Sequence, residues 1–232
     1  AQTQEAEAAW MAGEMQRLHE EGMAYRDMTV LYRAHYVTRA VEEVLLREKI
    51  PYTIYSGVPF FGRMEIKDAL SYLRMIVYQD DLSFRRIANV PKRNLGKRRM
   101  AFLQEYAEQH GCSLYRALQD NIEDALFKGT RARQFVTLIQ SFAEDSEGRP
   151  VSEVLSAILN ASGYEAMLRT EGSQERLDNL AELKQSVYLY ETTCGEECTL
   201  EHYLSHVALL TNGDTAEQGD KVKLMTVHAA KG

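Results

Sequence analysis

The sequence predicts an α/β unit that is interrupted by a large all-α insertion. Helix-like and strand-like segments alternate through residue 55, and helical spacing of apolar residues then runs without a convincing strand from about 64 to 211. A β-rich run returns at 222–227. Alternating helices and strands are typical of a parallel sheet covered by helices. We therefore expect the run at 222–227 to rejoin an incomplete parallel sheet that begins near the N-terminus.

The α/β part contains two helices and two strands before the insertion. Residues 4–21 and 37–48 repeat apolar side chains at helical spacing. Residues 28–32 and 51–55 are short runs rich in β-branched and aromatic side chains, which favour strands. Together with the final run they give a sheet of three strands, which is small for a closed fold.

The insertion is predicted to contain helices only. Ser113, Ser152 and Thr199 precede segments with helical apolar spacing and are candidate N-caps. The predicted helices cover 64–78, 100–110, 114–120, 153–162 and 174–192, with a last helix after Thr199. A polar loop, 212–220, leads back to the sheet.

Composition limits the classes of protein to which the chain can belong. No apolar run approaches the roughly 20 residues of a membrane span, and the N-terminus lacks a secretory signal. Three cysteines, an odd number, argue against a disulfide framework and for a reducing compartment. We therefore expect a cytoplasmic protein without membrane partners. Because the net charge is −7, nucleic-acid binding would need a local basic patch.

One such patch is the stretch FRRIANVPKRNLGKRRM, residues 84–100. Between Leu82 and Gln104 there are seven basic residues and no acidic one. A tight turn with glycine before a helix exposes backbone N–H groups that bind anions, and the side-chain charges would add phosphate contacts that do not read sequence. A solvated surface loop is the alternative. The predicted nucleic-acid-binding residues, which the resemblance described below assigns to duplex DNA, are Lys92, Arg93, Asn94, Gly96, Lys97 and Arg98.

Polar and basic residues also stand at the ends of two predicted strands. Arg33 and His35 follow the first strand, and Thr226, His228 and Lys231 end or follow the last. Open α/β sheets bind ligands beyond the carboxyl ends of their strands, so a shared site at this edge is a hypothesis. Surface salt bridges are the alternative.

Metal binding and catalysis within the chain are not predicted. Cys194, Cys198, His202 and His206 recur at four-residue intervals, which suggests zinc, but structural zinc sites usually join ligand pairs across a turn and both histidines here share a helix face. We predict no metal site, with zinc as the alternative. The sequence has no G-x-x-x-x-G-K-[ST] phosphate loop, and no catalytic arrangement follows from spacing, so no catalytic residue is predicted.

Three stretches in order resemble the UvrD/Rep/PcrA family of superfamily 1 DNA helicases. They are TVLYRAHYVTRAVEEVLLREKIPYTIYSGVPFFGRMEIKDALSYLRMI, then NVPKRNLGKRRM, and finally VKLMTVHAAKG, which is similar to the start of motif V of that family. The resemblance implies that residues 1–55 and 220–232 are parts of the RecA-like motor domain 2A, and that 56–219 are the helical insertion 2B.

The resemblance also implies that the chain is a fragment of a longer ATP-dependent helicase, which translocates on single-stranded DNA and unwinds duplex. ATP and Mg²⁺ would bind the parent protein through its first motor domain, and none is expected to bind the fragment. The implied partners are single-stranded DNA and the duplex backbone, with repair proteins as further partners of the helical domain. A non-enzymatic module that binds duplex DNA or protein, and part of a RecB/AddA-type helicase–nuclease subunit, are the alternatives.

Residue roles follow from the resemblance where motifs match. Arg33, Thr226 and His228 resemble contacts to single-stranded DNA, and Lys231 resembles a residue that couples the DNA track to the nucleotide cleft. His35 stands where relatives commonly have asparagine, although we include it with the single-stranded DNA contacts. Relatives usually read Arg-Gly-Ile-Gly where this chain has RNLG, residues 93–96, a turn similar to the helix-hairpin-helix grip on duplex DNA.

Overall fold

A computed structural model describes residues 3–33, 38–55, 57–194, 198–211 and 219–231. These residues form a mostly helical protein with a small parallel sheet. The helices are α1 (Gln4–Glu20), α2 (Arg39–Arg47), α3 (Met64–Val77), α4 (Asp81–Ile87), α5 (Lys97–His110), α6 (Leu114–Asp120), α7 (Ala132–Asp145), α8 (Val151–Ala161), α9 (Tyr164–Thr170), α10 (Gln174–Cys194) and α11 (Leu200–Thr211). The strands are β1 (Thr29–Tyr32), β2 (Tyr52–Ile54) and β3 (Val222–Thr226).

The sheet has the order β1-β3-β2, and β3 runs parallel to both neighbours. In the register, Thr29 pairs with Lys223 and Tyr52 pairs with Val222. The return of the C-terminal run to the sheet is therefore confirmed. Local sequence does not reveal which strands are neighbours, and the structure adds that β3 is the central strand.

The chain divides into two compact units. Unit 1 comprises Ala1–Arg63 and Ser205–Gly232, and unit 2 comprises Met64–Leu204. The divisions predicted from the sequence follow residues 55 and 219, and the assignment of the units to the domains 2A and 2B stays a prediction.

In unit 1, α1 and α2 pack against each other and cover the sheet. Small side chains such as Ala8 and Ala12 let α1 approach closely, while Leu45 of α2 and Val222 and Leu224 of β3 are almost fully buried. Burial of this apolar surface, at about 25 cal/mol per Å², is the main stabilising contribution to the sheet.

A buried polar network fixes the chain where it leaves unit 1. The Glu42 carboxylate of α2 accepts hydrogen bonds from the Phe60 backbone N–H, at 2.7 Å, and from the Thr38 hydroxyl, at 2.5 Å. The Arg63 guanidinium lies 3.6 Å from the same carboxylate. Burial raises the pKa of Glu42, opposed by these hydrogen bonds and by Arg63. The network holds the turn before α3 against α2.

In unit 2, α3 is the central element and contacts α4, α7, α8 and α10. Two of its acidic residues are buried but have partners, because an unpaired buried carboxylate would be costly. Asp68 accepts from the Tyr164 hydroxyl at 2.7 Å and pairs with Arg86 at 2.6 Å, and burial raises its pKa. Glu65 accepts from the Asn179 side chain.

Several predicted elements differ from the structure at their ends. Ser113 and Thr199 cap their helices as expected, whereas Ser152 is not an N-cap. The helix begins at Val151, after Pro150, and the backbone N–H and hydroxyl of Ser152 both donate to Glu191. The helix predicted at 100–110 begins at Lys97 instead. Helices α4, α7 and α9 were not individually predicted.

Within the described part of the chain, no helix combines the length and apolar character needed to cross a lipid bilayer.

Candidate nucleic-acid interface

The basic segment, residues 92–98, connects α4 to α5 and includes the first two residues of α5. The side chains of Lys92, Asn94, Lys97 and Arg98 are exposed. Lys97 and Arg98 lie in the first helical turn, where the N–H groups of a helix have no intrahelical acceptors and the helix dipole favours negative charge. The segment therefore presents two cations in the first turn of α5 and a third, Lys92, in the loop before it.

The turn requires the left-handed conformation at one position. Asn94 has a φ of 61°, which a β-branched residue would rarely adopt and which asparagine tolerates. Asparagine therefore supports the turn at this position.

Gly96 is different, because no described residue of the chain comes close enough to require glycine there. It precedes α5 with φ −78° and ψ −174°, an extended conformation open to any residue. A Cβ at this position would meet no atom within 4 Å. The open space in front of Gly96 leaves room for the close approach of another backbone.

The structure corrects the prediction for Arg93. Its side chain is 5% exposed, so it does not contribute a phosphate contact. The guanidinium donates to the Ile87 carbonyl at 2.8 Å and to the Tyr72 hydroxyl at 2.7 Å, and it lies 4.8 Å from the centre of the Phe135 ring. Arg93 satisfies the C-terminal end of α4 and ties the basic segment to α3 and α7.

Two residues that the sequence analysis missed complete the segment. The Asn89 side-chain oxygen accepts from the backbone N–H groups of Arg93 and Leu95. Arg99 donates to the carbonyls of Asn94, at 2.9 Å, and Leu126, at 2.7 Å. The sequence shows Asn89 only as a polar residue in a loop between two helices. Its role depends on N–H groups several residues further along the chain, and the sequence does not show that they lie close to it.

A second group of predicted residues lies at the carboxyl edge of β1 and β3. Tyr32 pairs with Thr226, and the Val227 N–H donates to the Tyr32 carbonyl at 2.9 Å. Arg33 and His228 follow directly and are both exposed. The structure thus brings the two strand ends to one edge, where a cation and an imidazole are open to solvent.

Thr226 stabilises the backbone turn that follows β3 at this edge. Its hydroxyl accepts the Ala229 N–H at 3.1 Å and so caps a short 3-10 turn, Ala229–Lys231. His35 lies outside the described residues. The same holds for the side chain of Lys231, so its coupling role stays a prediction.

The cysteine and histidine series does not form a metal centre in the described residues, which contain no group of three suitable ligands. The Cys194 sulfur lies 3.6 Å from Nδ1 of His202. Burial, and then the neighbouring Cys194 thiol, raise the pKa of Cys198 to about 11. Zinc stays the alternative to the prediction of no metal site.

Comparison with known proteins defines the family. The profile described as the UvrD-like helicase C-terminal domain matches residues 1–232. The chain therefore belongs to the family of UvrD-like helicase C-terminal domains.

Individual relatives agree with this assignment. The chain is 37% identical over 239 residues to the ATP-dependent DNA helicase PcrA of Staphylococcus aureus (strain Mu50 / ATCC 700699), covering 100% of this chain and 33% of that protein. The protein of the same name from Staphylococcus epidermidis (strain ATCC 12228 / FDA PCI 1200) is similar to the same extent. The chain thus spans about a third of the length of the curated relatives it matches.

The buried position of Arg93 predicts a loss of stability on its removal. Arg93→Ala should lower the free energy of unfolding by about 2 to 4 kcal/mol, because carbonyls and a hydroxyl lose a charged donor. The exposed neighbour provides the control, since Lys92→Ala should change it by no more than about 0.5 kcal/mol. Urea denaturation measures both, and equal stability of the two variants would contradict the structural role of Arg93.

Proposed function

We propose that this chain is part of an ATP-dependent DNA helicase and that it binds DNA through two surfaces. Unit 1 corresponds to part of the RecA-like motor domain 2A, and unit 2 corresponds to the helical insertion 2B. Family membership over the whole chain and the naming of its relatives as ATP-dependent DNA helicases support this proposal.

The observation that carries DNA binding is the exposed basic segment at the start of α5. Lys97 and Arg98 are the first two residues of α5, and Lys92 lies exposed in the segment before it, in a chain whose net charge is −7. Cations beside free N–H groups contact phosphate oxygens and carry no sequence information. We assign this surface to the backbone of duplex DNA, because a motor that moves along DNA must hold every sequence equally well.

The carboxyl edge of β1 and β3 is the second surface. Arg33 and His228 are exposed there, and parallel α/β sheets bind ligands at this edge. We assign them, with Thr226 and His35, to single-stranded DNA, and Lys231 to communication with the nucleotide site. The chemistry they share is recognition of a phosphate oxyanion.

ATP and Mg²⁺ belong to the parent protein in this proposal. The residues of this chain do not fit them alone, because the sequence has no phosphate loop and the described residues contain no three-ligand group. We therefore derive no hydrolysis step within the chain. A helicase acting on bacterial DNA would work in the cytoplasm, with repair proteins as candidate partners of unit 2.

Removal of the exposed charges tests the duplex-binding surface. Replacing Lys92, Lys97 and Arg98 together with alanine should weaken binding to a blunt DNA duplex. The slope of log K against log salt should also become shallower, by about 0.9 for each phosphate that the variant no longer neutralises. Fluorescence anisotropy over a salt series measures both quantities.

A charge-matched control separates this site from net charge. Arg116, Arg149 and Arg169 are exposed basic residues of unit 2 outside the segment. Their replacement by alanine removes the same formal charge and should leave the salt slope nearly unchanged. Equal losses of affinity in the two triple variants would reject the basic segment as the binding surface.

Gly96→Ser distinguishes close approach of DNA from helix stability. Serine is a good N-cap, so the variant should melt at the same temperature as the native chain or slightly above it. Duplex affinity should nevertheless fall several-fold, because the new side chain occupies the open space in front of α5. Unchanged affinity would show that no DNA backbone approaches Gly96.

Variants at the strand edge test the second surface. Arg33→Ala and His228→Ala should each weaken binding of the chain to single-stranded DNA and reduce the salt slope by at most about 0.7. In the full-length protein the same variants should lower DNA-stimulated ATP hydrolysis. Arg33→Ala could instead leave the affinity for single-stranded DNA intact and weaken nucleotide binding by the full-length protein. Arg33 would then contact a phosphate of the nucleotide and not one of DNA.

A further inference from the structure

We infer that Asn89 is a positioning residue for the basic segment, a role that rests on the proposed binding of duplex DNA. Asn89 follows α4 and is partly buried. Its side-chain oxygen accepts two backbone hydrogen bonds, from Arg93 at 2.8 Å and from Leu95 at 3.0 Å. One carboxamide oxygen, with its two lone pairs, therefore holds the main chain at two points of the segment.

These two points lie on either side of the strained residue. Asn94, with its φ of 61°, stands between Arg93 and Leu95. A left-handed residue that is not glycine persists where surrounding contacts determine its conformation. The two hydrogen bonds to Asn89 are such contacts, and they fix the reversal that leads into α5.

The bonds also determine which side chains point outward. Arg93 and Leu95 are 5% and 1% exposed, while Lys92 and Asn94, which alternate with them, are exposed. Asn89 binds the main chain at both inward residues and at neither outward one. Loss of its acceptor would free two N–H groups and let the segment rotate, which would displace Lys97 and Arg98 at the helix start.

Arg99 supports the opposite side of the turn. Its guanidinium binds the Asn94 carbonyl and, through Nε, the Leu126 carbonyl before α7. The two side chains therefore hold residues 93–95 from their N–H side and from their C=O side. Asn89 is uncharged, so its replacement alters the geometry of the segment without altering the number of cations.

A double-mutant cycle on duplex affinity tests this role with the 232-residue chain and a blunt, labelled DNA duplex. Asn89→Ala should weaken binding about tenfold in the native background. In the Lys97→Ala/Arg98→Ala background the same substitution should weaken binding less than about twofold, because the charges that Asn89 positions are gone. A residue that only stabilises the fold would have the same effect in both backgrounds.

Further variants keep the outcome decisive. Asn121→Ala removes a side-chain hydrogen bond that Asn121 donates to the Ala117 carbonyl of α6, outside the segment, and should not change duplex affinity. If Asn89→Ala does not fold, Asn89→Ser, with a weaker acceptor, enters the same cycle. Additive effects in the cycle, or native affinity of the folded Asn89 variant, would overturn the positioning role.

The result also distinguishes this inference from the broader proposal. If Lys97→Ala/Arg98→Ala weakens binding while Asn89→Ala does not, the basic segment binds DNA and Asn89 does not position it. If Lys97→Ala/Arg98→Ala binds duplex as tightly as the native chain, the basic segment is not the DNA-binding surface, and the role of Asn89 fails with it.

Discussion

The candidate DNA-binding surface depends on a cation that cannot itself touch DNA. Arg93 is buried among α3, α4 and α7, where its guanidinium binds the end of α4 and the Tyr72 hydroxyl and lies against the ring of Phe135. Burial of an arginine is costly unless its donors are satisfied, and here backbone and hydroxyl oxygens satisfy them. These contacts tie the segment that carries the exposed charges to α3, α4 and α7.

Residues of the candidate interface that look alike in sequence have different structural roles. Lys92, Lys97 and Arg98 face solvent, whereas Arg93 is internal. Asn94 adopts the left-handed backbone conformation of the turn. Gly96 has an ordinary extended conformation, and the absence of a side chain leaves open space in front of α5. These assignments agree with binding to a regular phosphate backbone, which needs charge and access but no base-specific contact.

The sequence was sufficient for the alternation of helices and strands in unit 1, the return of the last run to the sheet and the location of the basic patch, because periodicity and charge density are local properties. It was insufficient for Arg93, since its burial depends on Tyr72 and Phe135, each more than 20 residues away. Ser152 failed as an N-cap for a similar reason, as its partner Glu191 belongs to a distant helix. The start of α5 was missed because Gly96 and three successive basic residues give no apolar period.

The central position of β3 has a consequence for biosynthesis. β1 and β2 leave the ribosome before unit 2, but the strand that joins them emerges only after all of unit 2. The apolar faces of α1 and α2 therefore stay exposed until β3 is synthesised, whereas residues 64–204 form one contiguous stretch that has left the exit tunnel before β3. Unit 2 can fold first, and unit 1 closes last through contacts of very long sequence separation, which are slow to form.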